Sequence, residues 1–369
     1  MIERVSFPRQ AARTRNFALG LPRTFTVAAD GSRVVFLRSA GGQDATTALW
    51  VLDVAEGREQ LVADPRALAA DTAGLSAEER ARRERARERA AGIVAYSTDP
   101  AAAVAAFDLA GTIFLADLRT AGVRRLRSEA PAFDPQVDPT GRRVAYVHDR
   151  ALRVIGLDGE EDHLLAGEDH PTVSWGLAEF VAAEEMARYH GFWWSPGGER
   201  LAVARVDVSP VRTWHISDPA NPEAEPVGVR YPAAGTANAD VRLFIVGLDG
   251  ARTEVAWDRQ RFEYLCRVMW SEDRPLTVVV QSRDQRTVRT LSVGDDGSTE
   301  TLREDRDKAW VDLVDGSPAW LSDGRLVRTA DIDDTRRLIV GDETVTPPGL
   351  QVRRIAQVSD RVVFAASED

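Results

Sequence analysis

Two adjacent carboxylates, Glu184 and Glu185, close the run FVAAEE, and the aromatic stretch HGFWW follows a few residues later. Neighbouring side chains on a helix diverge by about 100°. The pair can therefore straddle one ligand but cannot face one core together. An ammonium group is the natural ligand, because charge-assisted hydrogen bonds are about twice as strong as neutral ones. Taken bare, the pair reads as a solvated helix packed on Ala182, Ala183 and Met186. On an insertion that carries it towards a cavity with low-dielectric walls, it becomes a cation site.

Other chemistry is sparse. The chain has no G-x-S-x-G elbow, no G-x-x-x-x-G-K-[ST] loop and no H-E-x-x-H. Ser195, in WWSPGG, lies in a hairpin turn without the strand-to-helix setting of a nucleophile elbow. The five histidines, at 148, 163, 170, 190 and 215, lack zinc-type spacing. Glu161, Asp162, His163, Asp169 and His170 form a weak cluster that reads as exposed turn residues. No catalytic residue, cofactor site or metal site is expected in this chain.

The elements that must position the acid pair form a repeat. FTVAADGSRVVFLRS, FDPQVDPTGRRVAYVHD, FWWSPGGERLAVARV, VMWSEDRPLTVVVQS and PAWLSDGRLVRTA share an apolar start, a turn rich in Asp, Pro, Gly or Ser, and an apolar strand. After them come strand–turn–strand segments such as LRVIGLDGEEDHLLAG and LFIVGLDGARTEVAW. The LDG turns at Leu157–Gly159 and Leu248–Gly250 are hairpin signals. One member of each set makes four antiparallel strands, and the period of about 40–60 residues is that of a propeller blade. The expected fold is an all-β propeller with short helical insertions, in preference to a string of unrelated sandwiches. Blades begin near Phe25, Ala91, Phe133, Trp193, Val268 and Pro318, and the last segment supplies one hairpin of a seventh. With no closing strand evident, the ring either closes unseen or continues in a longer protein.

Residues 1–23 precede the repeats as an extension, and the propeller spans 24–369. Helical insertions are expected near 65–91 and 176–190. In the first, Glu78–Arg82 and Glu79–Arg83 have i,i+4 spacing, which suits a solvated, charge-laced helix. A projecting arm near 208–238 looks too rich in Pro and Ala for regular strands.

The 369 residues are 44% hydrophobic and 28% charged, with a net charge of −11. This is an ordinary globular balance, and its acidity disfavours nucleic-acid binding. Cys266 is the single cysteine, so no intrachain disulfide can form; it reads as a small core residue in a reducing compartment. The first residues lack the apolar region of a signal peptide, and no run approaches the ~20 apolar residues of a membrane helix. A cytoplasmic location, with no membrane partner, is the expectation.

FVAAEEMARYHGFWWSP resembles the double-glutamate helix and following strand of the dipeptidyl peptidase IV family, nearest its cytosolic and bacterial members. RYPAAGTANADVRLF, Arg230–Phe244, resembles the family's Y-P-x-x-G-x-x-N-x-x-V stretch in the same blade. The resemblance implies an eight-bladed propeller capping an α/β-hydrolase domain. It also implies a serine exopeptidase that releases dipeptides with Pro or Ala second, and Glu184 and Glu185 as the clamp on the substrate's α-ammonium. The implied partners are peptides with a free amino terminus, the hydrolase domain, and a second copy through the arm. The family's triad lies beyond the propeller and has no counterpart here, so this chain alone is expected to be inactive. A carbonyl-gripping arginine is implied near Arg89 without a motif to align it. The loop KAWVDLVDGSPAW is implied as a wall for the first side chain. Two other readings compete: an oligopeptidase-like or acylaminoacyl-peptidase-like propeller, and a non-enzymatic interaction scaffold.

Overall fold

The computed structural model describes residues 6–68, 80, 81, 84, 85 and 91–368. Its repeats form a succession of antiparallel sheets, the blades of a propeller-type, all-β fold. Blade 1 holds Arg23–Val27, Arg33–Ser39, Thr46–Asp53 and Arg58–Ala63. Blade 2 runs through Ser97–Thr98, Val104–Leu109, Thr112–Asp117 and Val123–Arg125, and blade 3 through Ala132–Val137, Arg143–His148, Ala151–Gly156 and His163–Ala166. Blade 4 combines Val173–Trp175 and Phe192–Trp194 with Arg200–Asp207, Asp240–Gly247 and Arg252–Glu254. Blade 5 spans Tyr264–Met269 to Thr299–Arg306, and blade 6 spans Ala319–Trp320 to Glu343–Thr344. Leu350–Val358 and Val362–Glu368 then form a single hairpin, as the repeat count anticipates. Two short helices have described bounds, α1 (Phe7–Arg13) and α2 (Phe180–Glu185), and Arg80, Ala81, Glu84 and Arg85 are also helical.

The chain divides into two compact units, Met1–Asp240 with Val246–Arg252, and Val241–Ile245 with Thr253–Asp369. In the first, blade 2 is apolar on both faces. Ala105, Phe107, Phe114 and Ala116 meet Val35, Leu37, Leu49 and Val51 of blade 1. The alternate residues Ala106, Ile113 and Leu115 meet Val144, Tyr146 and Ile155 of blade 3. Successive residues of a strand point to opposite faces, so a strand packed on both sides reads as a nearly unbroken apolar run. Each fully buried Leu, Ile or Phe contributes about 1.5–3 kcal/mol. In the second unit, Leu321, Val327, Leu338 and Val340 of blade 6 pack on Val352 and Ile355 of the final hairpin. Cys266 is fully buried in blade 5.

The repeated turns are held by the polar residue that opens them. Asp99 accepts from the amides of Ala103 and Val104, and Asp138 from those of Arg142 and Arg143. Ser195 does the same with its hydroxyl towards Arg200 N at 3.0 Å and is itself buried, which gives it a turn-closing role.

Two boundaries differ from the sequence reading. The second blade does not begin at Ala91: Ala91–Gly92 pairs in parallel with Thr46 and Thr47 of blade 1, and blade 2 starts at Ser97. Gly92 has φ +80°, and a Cβ there would lie 2.5 Å from Thr47 O, so only glycine admits this approach. The arm does contain strands, because Thr213–Ile216 and Val227–Arg230 pair antiparallel. β-Branched and aromatic residues predominate in these two legs, while the Pro, Asn and Asp residues fall outside them, most in the turn between. The expected pairs Glu78–Arg82 and Glu79–Arg83, and Arg89, lie outside the described residues.

Tyr96 ties the first strand of blade 1 in place. Its hydroxyl lies 2.6 Å from Thr24 O, 2.9 Å from Val35 O and 3.1 Å from Thr26 Oγ1. Burial pushes the phenol up to about 12, so it remains a donor at any physiological pH. Tyr96→Phe is expected to lower unfolding stability by about 1 kcal/mol, read by urea denaturation.

Candidate functional site

The acid pair is carried by a loop cut into one strand. Val173–Trp175 pairs with Arg205–Asp207, and Phe192–Trp194 pairs with Leu201–Val203, on the same neighbouring strand. The residue between, Ala204, has no single partner. Its carbonyl accepts from Gly176 N at 2.9 Å, and its amide donates to Gly191 O at 2.7 Å. Residues 177–190 thus leave and rejoin the strand at one point, through two glycines. Gly176 has φ +84°, and a methyl on Gly191 would fall within 3.0 Å of the backbone of Gly176 and Leu177.

Within the loop, α2 is only six residues long. Helices this short are marginal on their own; a side chain holds its first turn, and the backbone amides of Met186 and Arg188 close its end on Ala182 O. Glu179 is the N-cap: it accepts from Val181 N at 2.5 Å and from Ala182 N at 2.8 Å. It is 9% exposed and pairs with the buried Arg188 at 3.7 Å. Arg188 also donates to His190 O at 3.0 Å. Burial raises the Glu179 carboxyl above its ordinary range, against the opposing pull of Arg188, the two cap amides and Arg85. Beyond the helix, His190 Nδ1 lies 2.8 Å from the buried carboxylate of Asp134, which fastens the returning chain to blade 3.

Ala182, Ala183 and Met186 are buried beneath the helix, as its spacing predicts. Glu184 is half-buried and Glu185 is exposed. Among the described residues neither makes a hydrogen bond or an ion pair. Beside the helix is a cavity of about 300 Å³, lined by Phe133, Leu177, Glu179, Phe180, Ala183 and Arg85 among others, but not by Glu184 or Glu185. Arg85 joins the two features. Its guanidinium lies 5.0 Å from the Phe180 ring centre. Burial draws its pKa down, while Glu179, then Glu184, then Glu84 oppose that shift. A guanidinium stays charged in any such setting.

The two stretches that carry the resemblance touch. Tyr231, from RYPAAGTAN, meets Phe180 of α2 edge-on at 5.2 Å, and Trp214 of the arm meets Tyr231 at 6.0 Å. Sequence reasoning names Glu184 and Glu185 and points to the arginines around Arg89, among which Arg85 falls, but it does not single out Glu179 or Arg188. The paired glycines at 176 and 191, bracketing a polar loop inside an apolar strand pattern, were the available signal. Of the weak histidine–acid cluster, Asp162 is engaged structurally: it accepts from the buried Tyr146 hydroxyl at 2.6 Å and pairs with Arg153 at 3.0 Å. Among the described residues, no group of three or more His, Cys, Asp or Glu could hold a metal, and no helix is long and apolar enough to cross a membrane.

The chain is 28% identical over 193 residues to mouse dipeptidyl peptidase 8, covering 45% of this chain and 22% of that protein. It is 28% identical over 156 residues to cat dipeptidyl peptidase 4, covering 38% and 20%. It is also 28% identical over 159 residues to mouse inactive dipeptidyl peptidase 10, covering 40% and 20%. The matched regions are thus about a fifth of each curated relative. The crystal structure of Porphyromonas gingivalis dipeptidyl peptidase 4 superposes with a TM-score of 0.72 at 18% identity, over 95% of this chain and 50% of that one, which shows a shared fold. Residues 103–364, well over half of the chain, match the family model described as the dipeptidyl peptidase IV (DPP IV) N-terminal region. On that match, the chain belongs to the dipeptidyl peptidase IV N-terminal region family.

Proposed function

We propose that this chain is the substrate-anchoring propeller of a serine dipeptidyl aminopeptidase, and that Glu184 and Glu185 hold the peptide's α-ammonium. One observation carries the reading: two adjacent carboxylates on a built-in strand insertion, with no internal partner among the described residues. Unpaired acids next to a retained arginine suit a ligand that brings its own cation. With the amine fixed, a peptide is measured from its end, so the second peptide bond is presented to the nucleophile of a hydrolase domain. Binding energy remote from the reacting bond is then used for positioning. In this reading Arg85 is the arginine that grips the substrate carbonyl, since it lies against Phe180 of the helix that carries the acid pair. Release of dipeptides with Pro or Ala second is the corresponding activity of the whole enzyme. The exposed Trp214, Ile216 and Val227 of the arm are the surface for a second copy, and the single buried cysteine suits the cytoplasm.

A non-enzymatic scaffold is the second reading, favoured by the similarity to a relative named as inactive. The test is direct binding. Ala-Pro-Ala and its N-acetyl form are titrated into the chain and followed by NMR. The free amine is expected to bind at least about tenfold more tightly, the scale of one charged contact. Equal affinity would remove the amine clamp.

A further inference from the structure

We infer that Glu179 is a positioning residue whose negative charge aims both halves of the clamp, the acid pair on α2 and Arg85 opposite it. The inference rests on the amine-clamp reading above and adds a residue that does not touch the substrate.

A cap alone does not call for this residue. Ser, Thr, Asp and Asn are the preferred N-caps, and their short side chains do the work without a buried charge. A glutamate at this position places its carboxyl group at 9% exposure, where burial works against its charge and only its partners favour it. Removing a carboxylate from water is costly unless other groups compensate. Here the compensation has three sources. Both oxygens accept from helix amides, Val181 N and Ala182 N. Arg188, itself buried, lies 3.7 Å from Oε1. Arg85, from a distant part of the chain, lies over the ring of Phe180 and lines the same cavity as Glu179.

Each contact has a consequence for the pair. The cap sets where a six-residue helix begins, and therefore where residues 184 and 185 point. The Arg188 contact ties the start of the loop to its end, because Arg188 donates on to His190 O. The charge would hold Arg85 against Phe180 at the side of the helix, with no ion pair to Glu184 among the described residues. Glu179 and Arg85 line the same cavity beside the helix, and Glu179 is among the acids that act to keep Arg85 charged. One buried acid thus serves both the helix that carries the acid pair and the arginine packed on that helix.

The test uses the 369-residue chain, Ala-Pro-Ala and N-acetyl-Ala-Pro-Ala, with NMR-detected affinities. Glu179→Gln keeps an acceptor for the cap but removes the charge. It is expected to weaken the free-amine peptide about tenfold and leave the acetylated peptide within about twofold. Glu179→Asp, which restores the charge, should recover most of that loss. Arg85→Gln added to Glu179→Gln should cost no more than about a further twofold, because the two act as one unit. A cap without a positioning role predicts the opposite: affinity unchanged in Glu179→Gln, or losses from Glu179→Gln and Arg85→Gln that multiply. Either result overturns the inference. Should Glu179→Gln lose the α2 amide signals, Arg85→Gln alone decides. It leaves the cap intact, is expected to weaken binding several-fold, and unchanged affinity there also overturns the inference. Glu185→Gln separates the two levels. If it abolishes the free-amine preference while Glu179→Gln does not alter it, the clamp stands and this inference falls. If the unmodified chain shows no preference, the clamp reading itself has failed.

Discussion

Replacing Glu185 with glutamine is expected to lower kcat/KM of the complete peptidase towards a free-amine peptide by about 100-fold. The substitution keeps shape and hydrogen-bonding atoms and deletes one charge. Glu185 is exposed and has no internal partner among the described residues, so its loss should change folding stability by less than about 0.5 kcal/mol. That separation makes the experiment clean, because a binding defect cannot be blamed on the fold. An N-acetylated substrate should be turned over equally, and poorly, by both forms, since it brings no ammonium. Glu184→Gln should act in the same direction, but it also removes a charge that faces Arg85, so its effect mixes clamp and support. A Glu185→Gln enzyme with unaltered kcat/KM would mean that the amine is held elsewhere.

Gly191→Ala is expected to be the most damaging single methyl near the site. The added carbon would meet backbone atoms of Gly176 and Leu177, not the tip of a movable side chain. The ends of the loop would have to part, and the Gly176–Ala204–Gly191 hydrogen bonds that close the strand would stretch with them. Overpacking of this kind costs about 1–3 kcal/mol, and a backbone–backbone clash belongs at the upper end. Both consequences are measurable on the same sample. Chemical denaturation should show the lost stability, and titration with Ala-Pro-Ala should show affinity falling with it, because the helix no longer sits over its buried alanines. Wild-type stability in this variant would show that the loop tolerates separation of its ends, and that the acid pair is less rigidly mounted than the geometry implies.

The repeat was legible because its physics is local. Turn openers such as Asp138 and Ser195 bond amides four or five residues ahead, and strand periodicity needs only near neighbours. Blade count, the terminal hairpin and the buried state of Cys266 follow from such patterns. The start of blade 2 was misplaced at Ala91 because a two-residue parallel pairing with Thr46 and Thr47 leaves no periodic trace. The arm's strands were missed because its composition was read as a whole, while its β-forming residues cluster in two short legs.

The acid pair divides along the same line. Residue types and adjacency alone marked Glu184 and Glu185 as candidates for holding a cation, since two neighbouring carboxylates on a helix diverge around whatever they bind. Only the tertiary structure decided what stands around them: the loop springing from Ala204's neighbours, Glu179 buried beneath, Phe180 against Tyr231, and Arg85 brought across from nearly a hundred residues away. Those relations depend on which strands pair and which glycines let backbones touch. Contacts between residues far apart in the chain are set by global packing, and no short window of sequence contains them.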